Sequence, residues 1–580
     1  MKHYSILTMF KQFVLISVLA LGTAGCSDNS VNVENLKAIG GARYGGEFRF
    51  MSSEKIEGLF PLQATTIYTQ RITSQIFDPI LRLDASGSKV IPSVAESFTV
   101  SPDGKSYTLS IRKGVYFHPD ECLDGDGREL TAEDVKFTLD MSCSGLEINE
   151  VGFMLHDRVV GAAAYNEATH KQLKAGGVSG IKVLDKYKLR IDLIEAFAGF
   201  DKLLTYSGFG VFPKEAYDFY RNDIRKHPVG TGPFMLETYT DKGLKLKRNP
   251  NYWRKDQFGN QLPFLAGIEL SYTKNKRSEL IAFRERKIDL VLEIPTEEVD
   301  NILGSLKEAQ EGKTVKHKVD SKQSFSVTFL GMSQRNPILK DVRVRRAINH
   351  AINRTDLVNN TLQGEGYPVL HGFIPNTEFF PANRVKGPAY HIAKAKYLLA
   401  QAGFPNGNGF PVMTIYVSGN ADAPNHSLAK GIAQQLKQNL GISILVERVD
   451  FEKRNQYVKS GKASLWVSGW IADYPDGESF LSLFYGKYAN RDSEFMNPFK
   501  YRSSEFDNLY ERLNKEQDPA KRTDIMVECD QKIVNDAVVI PLINDDFITM
   551  INSRIRNFKT NSLENLDFSS IFIKEPRGSE

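Results

Sequence analysis

An α/β fold built in two or three lobes is predicted by three observations. Short strand-like runs alternate with amphipathic helical runs along the whole chain, the pattern of an α/β or α+β protein. The 580 residues are enough for more than one full core. The composition, 41% hydrophobic and 25% charged, is that of an ordinary globular protein, and no internal repeat or low-complexity segment interrupts it.

Taken in order, the first clear element is a hairpin. The runs FTV and YTLSIR flank Ser101-Pro-Asp-Gly104, a turn whose residues favour tight reversal. LTAEDVKF then opens a helix over 131–142, with Thr131 as N-cap and Glu133 and Asp134 in the first turn, where the dipole favours acids. Further helices are predicted over 342–353, 393–402, 428–440 and 505–515, and Gly403 and Gly441 fall where a helix end calls for positive φ. Strands are predicted over 186–195, 244–248, 268–272, 288–294, 324–330, 413–418, 443–449, 464–470 and 537–543. Gly230 and Gly232, around Thr231 and before Pro233, suit a turn that needs positive φ.

The formal net charge is +4, with both signs spread along the chain, so nothing points to nucleic acid. Lys2 and Lys11 precede the apolar run FVLISVLALGTA and then Cys26. That run is too short to span a bilayer and suits the core of a signal peptide over 1–25. Thr23, Ala24 and Gly25 before Cys26 look like a bacterial lipobox, although Thr23 stands where Leu is usual. The lipobox reading implies acylation of Cys26 and a stable membrane anchor. Cys26 after a plain secretory signal is the other reading. The polar stretch 26–43 fits a tether.

Three more cysteines follow. Export would place them in an oxidising compartment. Cys122 and Cys143 flank the 131–142 helix, and a disulfide between them would add about 3 kcal/mol in the chain-entropy model. Cys529 reads as a small buried apolar residue on an amphipathic helix. No cysteine or histidine spacing suits a metal, and no cofactor motif is present: Gly312-Lys313-Thr314 lacks the first P-loop glycine, and the Asp124–Gly127 string lacks two calcium ligands at Arg128 and Val135.

Four collinear blocks carry more information: AESFTVSPDGKSYTLSIRKGVYFH with LTAEDV, HPVGTGPF with RNPNYW, DVRVRRAINHAINRTDLV, and GWIADYPDGESF. Together they resemble the family 5 extracellular solute-binding proteins, the peptide- and nickel-binding components of ABC importers. The resemblance implies a two-lobed periplasmic binding protein type II fold with an extra subdomain inserted in the first lobe, and no catalysis. The implied division is 44–80, 228–318 and 541–580 in lobe I, 81–227 as the insertion and 319–540 as lobe II, with crossings near Val319 and Pro541. Ligand would stabilise the closed form.

It also implies a site. In peptide-binding relatives the acid of the GWIAD block pairs with the ligand's α-amino group, and that residue is Asp473 here. An enclosed ammonium needs such a charged acceptor. Main-chain groups at Gly469 and Ile471 would pair with the ligand backbone, which explains tolerance of ligand sequence. Trp470 would wall a side-chain pocket, while Trp466 reads as core, and Thr65 and Ile67 are candidates on the facing wall. Val467 stands where some oligopeptide-binding relatives carry a carboxylate-binding arginine. That departure leaves an oligosaccharide, an opine or a nickel chelate open as ligand; an envelope hydrolase is the remote alternative. The implied partners are a peptide, the importer's permease and ATPase, and the membrane through the lipid. The chain itself is expected to act as a monomer in the cell envelope.

Overall fold

A computed structural model of the chain describes residues 36–574, apart from 53, 174–175, 274–275, 293, 295–316, 365, 420–423 and 491–495. The leader, Cys26 and the Gly312–Thr314 string lie outside the described residues. No helix among the described residues is long and apolar enough to cross a membrane.

The chain begins with strand β1 (Glu47–Ser52) and helix α1 (Ile67–Ile76). Strands β2 (Ala95–Val100) and β3 (Ser106–Ile111), helix α2 (Ala132–Cys143), and strands β4 (Ile181–Asp185) and β5 (Lys188–Asp192) follow. Next come β6 (Phe234–Thr240), β7 (Gly243–Arg248), β8 (Gly267–Tyr272), β9 (Leu290–Leu292) and β10 (His317–Gln323). Beyond them lie β11 (Ser326–Met332), α3 (Val342–Ala351), β12 (Tyr367–Pro368), β13 (Met413–Ser418), β14 (Ile444–Val449) and β15 (Leu465–Ile471). Helix α4 (Pro519–Asn535), β16 (Val539–Asn544) and β17 (Asp546–Asn552) complete the frame.

Three sheets organise these strands. One has seven in the order β10-β17-β9-β1-β8-β7-β6, one has six in the order β12-β16-β11-β15-β13-β14, and one has four in the order β2-β3-β5-β4. The four-stranded sheet is made wholly from residues between β1 and β6, so it is an insertion into the seven-stranded lobe. The chain passes between the seven- and six-stranded sheets twice, between Gln323 and Ser326 and again between Asn544 and Asp546. These points lie a few residues beyond Val319 and Pro541. The two crossing segments touch: Ser324 N–H donates to the Asp545 carbonyl at 3.0 Å. Glu564 braces them, accepting from Ser324 Oγ at 2.7 Å and pairing with Arg71 of α1 at 2.9 Å. Every residue of β11 is buried, as expected for a strand packed on both faces.

The blocks that resemble the family are scaffold. Buried Asp78 accepts from Thr231 Oγ1 (3.0 Å), Tyr252 Oη (3.0 Å) and Trp253 Nε1 (2.8 Å), tying GTGPF to NPNYW. The expectation of positive φ at Gly230 and Gly232 is corrected: neither is among the positive-φ glycines. Close approach explains them instead, because an added Cβ would lie 2.1 Å from the Ile76 oxygen at Gly230 and 2.6 Å from the Ile76 carbonyl carbon at Gly232. Gly403 and Gly441 do have positive φ, at 97° and 74°. Thr131 caps α2 as expected, and Asp134 reaches back to accept from the Thr131 N–H at 2.8 Å.

The expected Cys122–Cys143 disulfide is also corrected, since both are free thiols. Cys122 sits in the turn before α2 and Cys143 ends that 12-residue helix. Cys122 is half-buried near Asp120 and Glu215, whereas Cys143 is buried near Asp140 and Lys136, so the two thiols sit in different surroundings. Cys143 and Cys529 are fully buried, and burial pushes both thiols up and keeps them unreactive. Alkylation in denaturant without reductant should therefore label Cys122 and Cys143 completely. A peptide map showing them crosslinked would contradict the structure.

Candidate functional site

Strand β15 defines the site. It pairs with β11 over its whole length, from Leu465↔Met332 to Ile471↔Ser326. Its other neighbour, β13, pairs only at Leu465 and Trp466. Among the described residues, no strand pairs with that edge of β15 from Val467 onward. The Ala472 N–H donates to the Phe325 carbonyl at 3.0 Å, which sets the antiparallel alternation: Ser468 and Trp470 turn their main-chain groups to β11, and Gly469 and Ile471 turn theirs to the open edge. Gly469 is exposed and Ile471 half-buried. Neither positive φ nor crowding demands glycine at 469: an added Cβ would meet nothing nearer than Thr328 Oγ1 at 3.8 Å. That leaves room for another backbone.

The chain leaves this edge through a tight turn into the helical turn Glu478–Leu481. Ser479 holds the corner. Its Oγ accepts from the Asp473 N–H at 3.1 Å, and its carbonyl accepts from Trp470 Nε1 at 3.0 Å. Trp470 is half-buried against the second-lobe core, while Trp466 is buried and stacked on Phe499 with centroids 5.7 Å apart. Val467 is fully buried.

Three carboxylates crowd this turn, and they differ in their partners. Asp476 is chelated by Arg522 (2.7 and 2.9 Å) and also meets Lys202 of the insertion at 3.0 Å. Burial alone would raise its carboxyl, but those two cations hold it far below the usual range. Glu478 is completely buried, pairs with Arg158 of the insertion at 2.6 Å, and accepts hydrogen bonds from the Tyr474 and Tyr510 hydroxyls. Asp473 is different: among the described residues no cation lies within ion-pair distance of its carboxylate and no group donates a hydrogen bond to it. Burial, and then the charge of Glu478, push it up to about 7. A half-buried carboxylate raised in this way and without a partner is a candidate for holding a cation.

The facing wall comes from the first lobe. Phe153, Met154 and Arg158 line one pocket together with Asp473, Tyr474 and Ser482. Tyr206 is close enough to Asp473 for the carboxylate, after burial, to raise its hydroxyl. That hydroxyl donates to the Ala64 carbonyl and accepts from Gln70 Nε2, both at 3.2 Å. Thr65 and Ile67 lie in this same segment and are half-buried. Thr65 Oγ1 contacts Glu150 at 3.4 Å. The structure thus gathers Gly469, Trp470, Ile471 and Asp473 on one continuous segment, while Tyr206 beside Asp473 bonds Ala64 and Gln70, the residues on either side of Thr65 and Ile67 in the chain. Arg158, Lys202 and Arg522 escape sequence reasoning because no local pattern connects them to the turn. The signal that was present is three acids within Asp473–Glu478, which cannot be buried together without cations.

Two sheets joined by two crossing segments, with an unpaired strand edge and an unpartnered carboxylate between the lobes, define a protein that closes around a solute. Comparison with known proteins gives its family. The chain belongs to the bacterial extracellular solute-binding proteins, family 5, whose model matches residues 89–492. It is 24% identical over 528 residues to di/tripeptide-binding protein 1 of Pseudomonas aeruginosa, covering 88% of this chain and 91% of that one. It is likewise 24% identical over 509 residues to the glutathione-binding protein GsiB of Salmonella choleraesuis, covering 86% and 89%. Among solved structures, the periplasmic binding protein DppA of Helicobacter pylori, in complex with the peptide STSA, superimposes with a TM-score of 0.78 at 23% identity, covering 92% of this chain and 99% of that one. The murein tripeptide binding protein MppA of Escherichia coli also gives 0.78, at 17% identity, with 92% and 100% covered. The two-lobed type II fold with an inserted subdomain is the one these structures share.

Proposed function

We propose that this protein is the substrate-binding component of an ABC importer and that it captures peptides by closing its lobes on them. One observation carries the reading: the unpaired Asp473 carboxylate stands at the end of an unpaired strand edge. A peptide with a free N-terminus supplies both an ammonium for the acid and a main chain for Gly469 and Ile471. The relatives that bind di- and tripeptides and glutathione support it. A sugar or a nickel chelate has no repeating N–H and C=O pattern to use that edge. The fuller reading adds lipidation at Cys26, a place on the outer side of a membrane, delivery to a permease as a monomer, and no turnover of the ligand. Calorimetry with a peptide pool and its N-acetylated counterpart tests the core of it. Binding is expected for the free-amine pool and lost on acetylation. Equal binding of both pools, or of neither, would overturn the reading, and native mass spectrometry of the purified protein would then identify the retained solute.

A further inference from the structure

Asp473, Asp476 and Glu478 lie within six residues of one another on the second lobe, yet only one of them is free to take a ligand cation. Asp476 is satisfied within its own lobe by the Arg522 fork. Glu478 has two phenols from its own lobe, Tyr474 and Tyr510, but its cation comes from the first lobe. That cation, Arg158, is firmly held. Its Nη1 donates to the Met154 carbonyl at 2.9 Å, its guanidinium lies 4.5 Å from the centre of the Phe197 ring, and its Nη2 reaches Tyr510 Oη at 3.4 Å as well as Glu478. Both Arg158 and Asp473 line the same interlobe pocket.

Resting on the peptide-capture reading above, we propose that Arg158 is a positioning residue that sets the charge the site accepts. By occupying Glu478 as the lobes meet, it leaves one uncompensated carboxylate for one ammonium, so the site selects ligands that present a single positive charge at this end. A first residue with an aminoalkyl side chain would bring a second cation beside Arg158, where no acid is left to receive it. The same arrangement protects the anchor. Were Glu478 uncharged, Arg158 would lie unpaired in the pocket and would compete with the ligand for Asp473.

The test is a calorimetric panel on the full chain, with tripeptides that differ only in the first residue: alanine, diaminopropionate, ornithine and lysine. Wild type is expected to bind the alanine peptide at least tenfold more tightly than any of the diammonium peptides. Arg158→Met exposes Glu478 as a second acceptor and should reverse that order for at least one side-chain length. Glu478→Gln should weaken the alanine peptide tenfold or more. The double variant, with neither charge, should recover both the affinity and the wild-type order. If Arg158→Met does not fold, the pair of Glu478→Gln and the double variant still decides the matter through loss and rescue. Proportional weakening of all four peptides by Arg158→Met, or no effect of Glu478→Gln, would overturn the proposal while leaving peptide capture intact. Failure of wild type to bind any of the four would instead remove the peptide reading itself.

Discussion

Replacing Asp473 with Asn should cost peptide affinity by a factor of several hundred or more. The substitution keeps the shape of the turn and the Ser479 hydrogen bond to the 473 N–H, which is a main-chain contact. What it removes is the negative charge. An enclosed ammonium left without its counter-ion is penalised by about 3–5 kcal/mol, and each 1.4 kcal/mol is about tenfold in dissociation constant. N-acetylated peptides should be indifferent to the change. The pH dependence has a definite sign. Because burial in this closed arrangement raises the Asp473 carboxyl to about 7, the acid is protonated there below that value, and binding an ammonium must displace the proton. Wild-type affinity should therefore fall as pH drops below about 7, by up to about tenfold per unit, and fall again above about 8 as the peptide amine loses its proton. The Asn variant should lack the acid limb. Stability moves the other way: a carboxyl raised in the fold costs stability as pH rises from its unfolded value near 4 to about 7. Ligand-free wild type should melt lower at pH 8 than at pH 5 relative to Asp473→Asn. An Asn variant that binds free-amine peptides normally would remove Asp473 as the anchor.

Much of this architecture was legible in the residues. The strand expected over 413–418 is observed over those residues, and those expected over 464–470 and 324–330 are observed as Leu465–Ile471 and Ser326–Met332. Continuous apolar runs made them readable, and burial on both faces of β11 explains why the run has no alternation. Strand β10, with the sequence HKVDSKQ, was not legible. It lies at the edge of its sheet, largely exposed, and has no apolar face to announce it. The glycines of GTGPF were located correctly but for the wrong reason. Sequence shows where a side chain is forbidden, whereas only the packed structure shows that the Ile76 backbone forbids it. The disulfide failed for a related reason. Loop length between Cys122 and Cys143 favours closure, but only the packed structure shows that the two free thiols sit among different neighbours. At the site, the turn with Trp470 and Asp473 could be read because it is contiguous. Its cations could not, since Arg158 lies 320 residues and Lys202 274 residues from their partners in sequence.

Arg522→Met should be the most destabilising substitution at this turn, and the loss should depend on whether the lobes are closed. Asp476 is 1% exposed and Arg522 of α4 is 6% exposed, so the pair is desolvated and its two bonds are both made within the second lobe. Removing one member of a buried pair leaves the other uncompensated and costs about 3–5 kcal/mol. In the closed form Lys202 of the insertion remains at 3.0 Å from Asp476 and shares that burden. When the lobes part, no cation does, and only the Glu478 N–H, which donates to Asp476 at 3.0 Å, is left. The variant should therefore unfold at a markedly lower urea concentration than wild type, and saturating ligand should restore more of the midpoint to the variant than to wild type. The acid side supplies a control. A carboxyl held down in the fold stabilises above its unfolded value near 4 and loses that contribution as pH falls towards its depressed value. Without Arg522 that loss should shrink. The double variant Asp476→Leu with Arg522→Met removes both charges and should recover most of the midpoint, as apolar replacements of buried pairs commonly do. If the single and double variants were equally unstable, packing of the Arg522 side chain rather than compensation of Asp476 would be what holds α4 to the ligand turn.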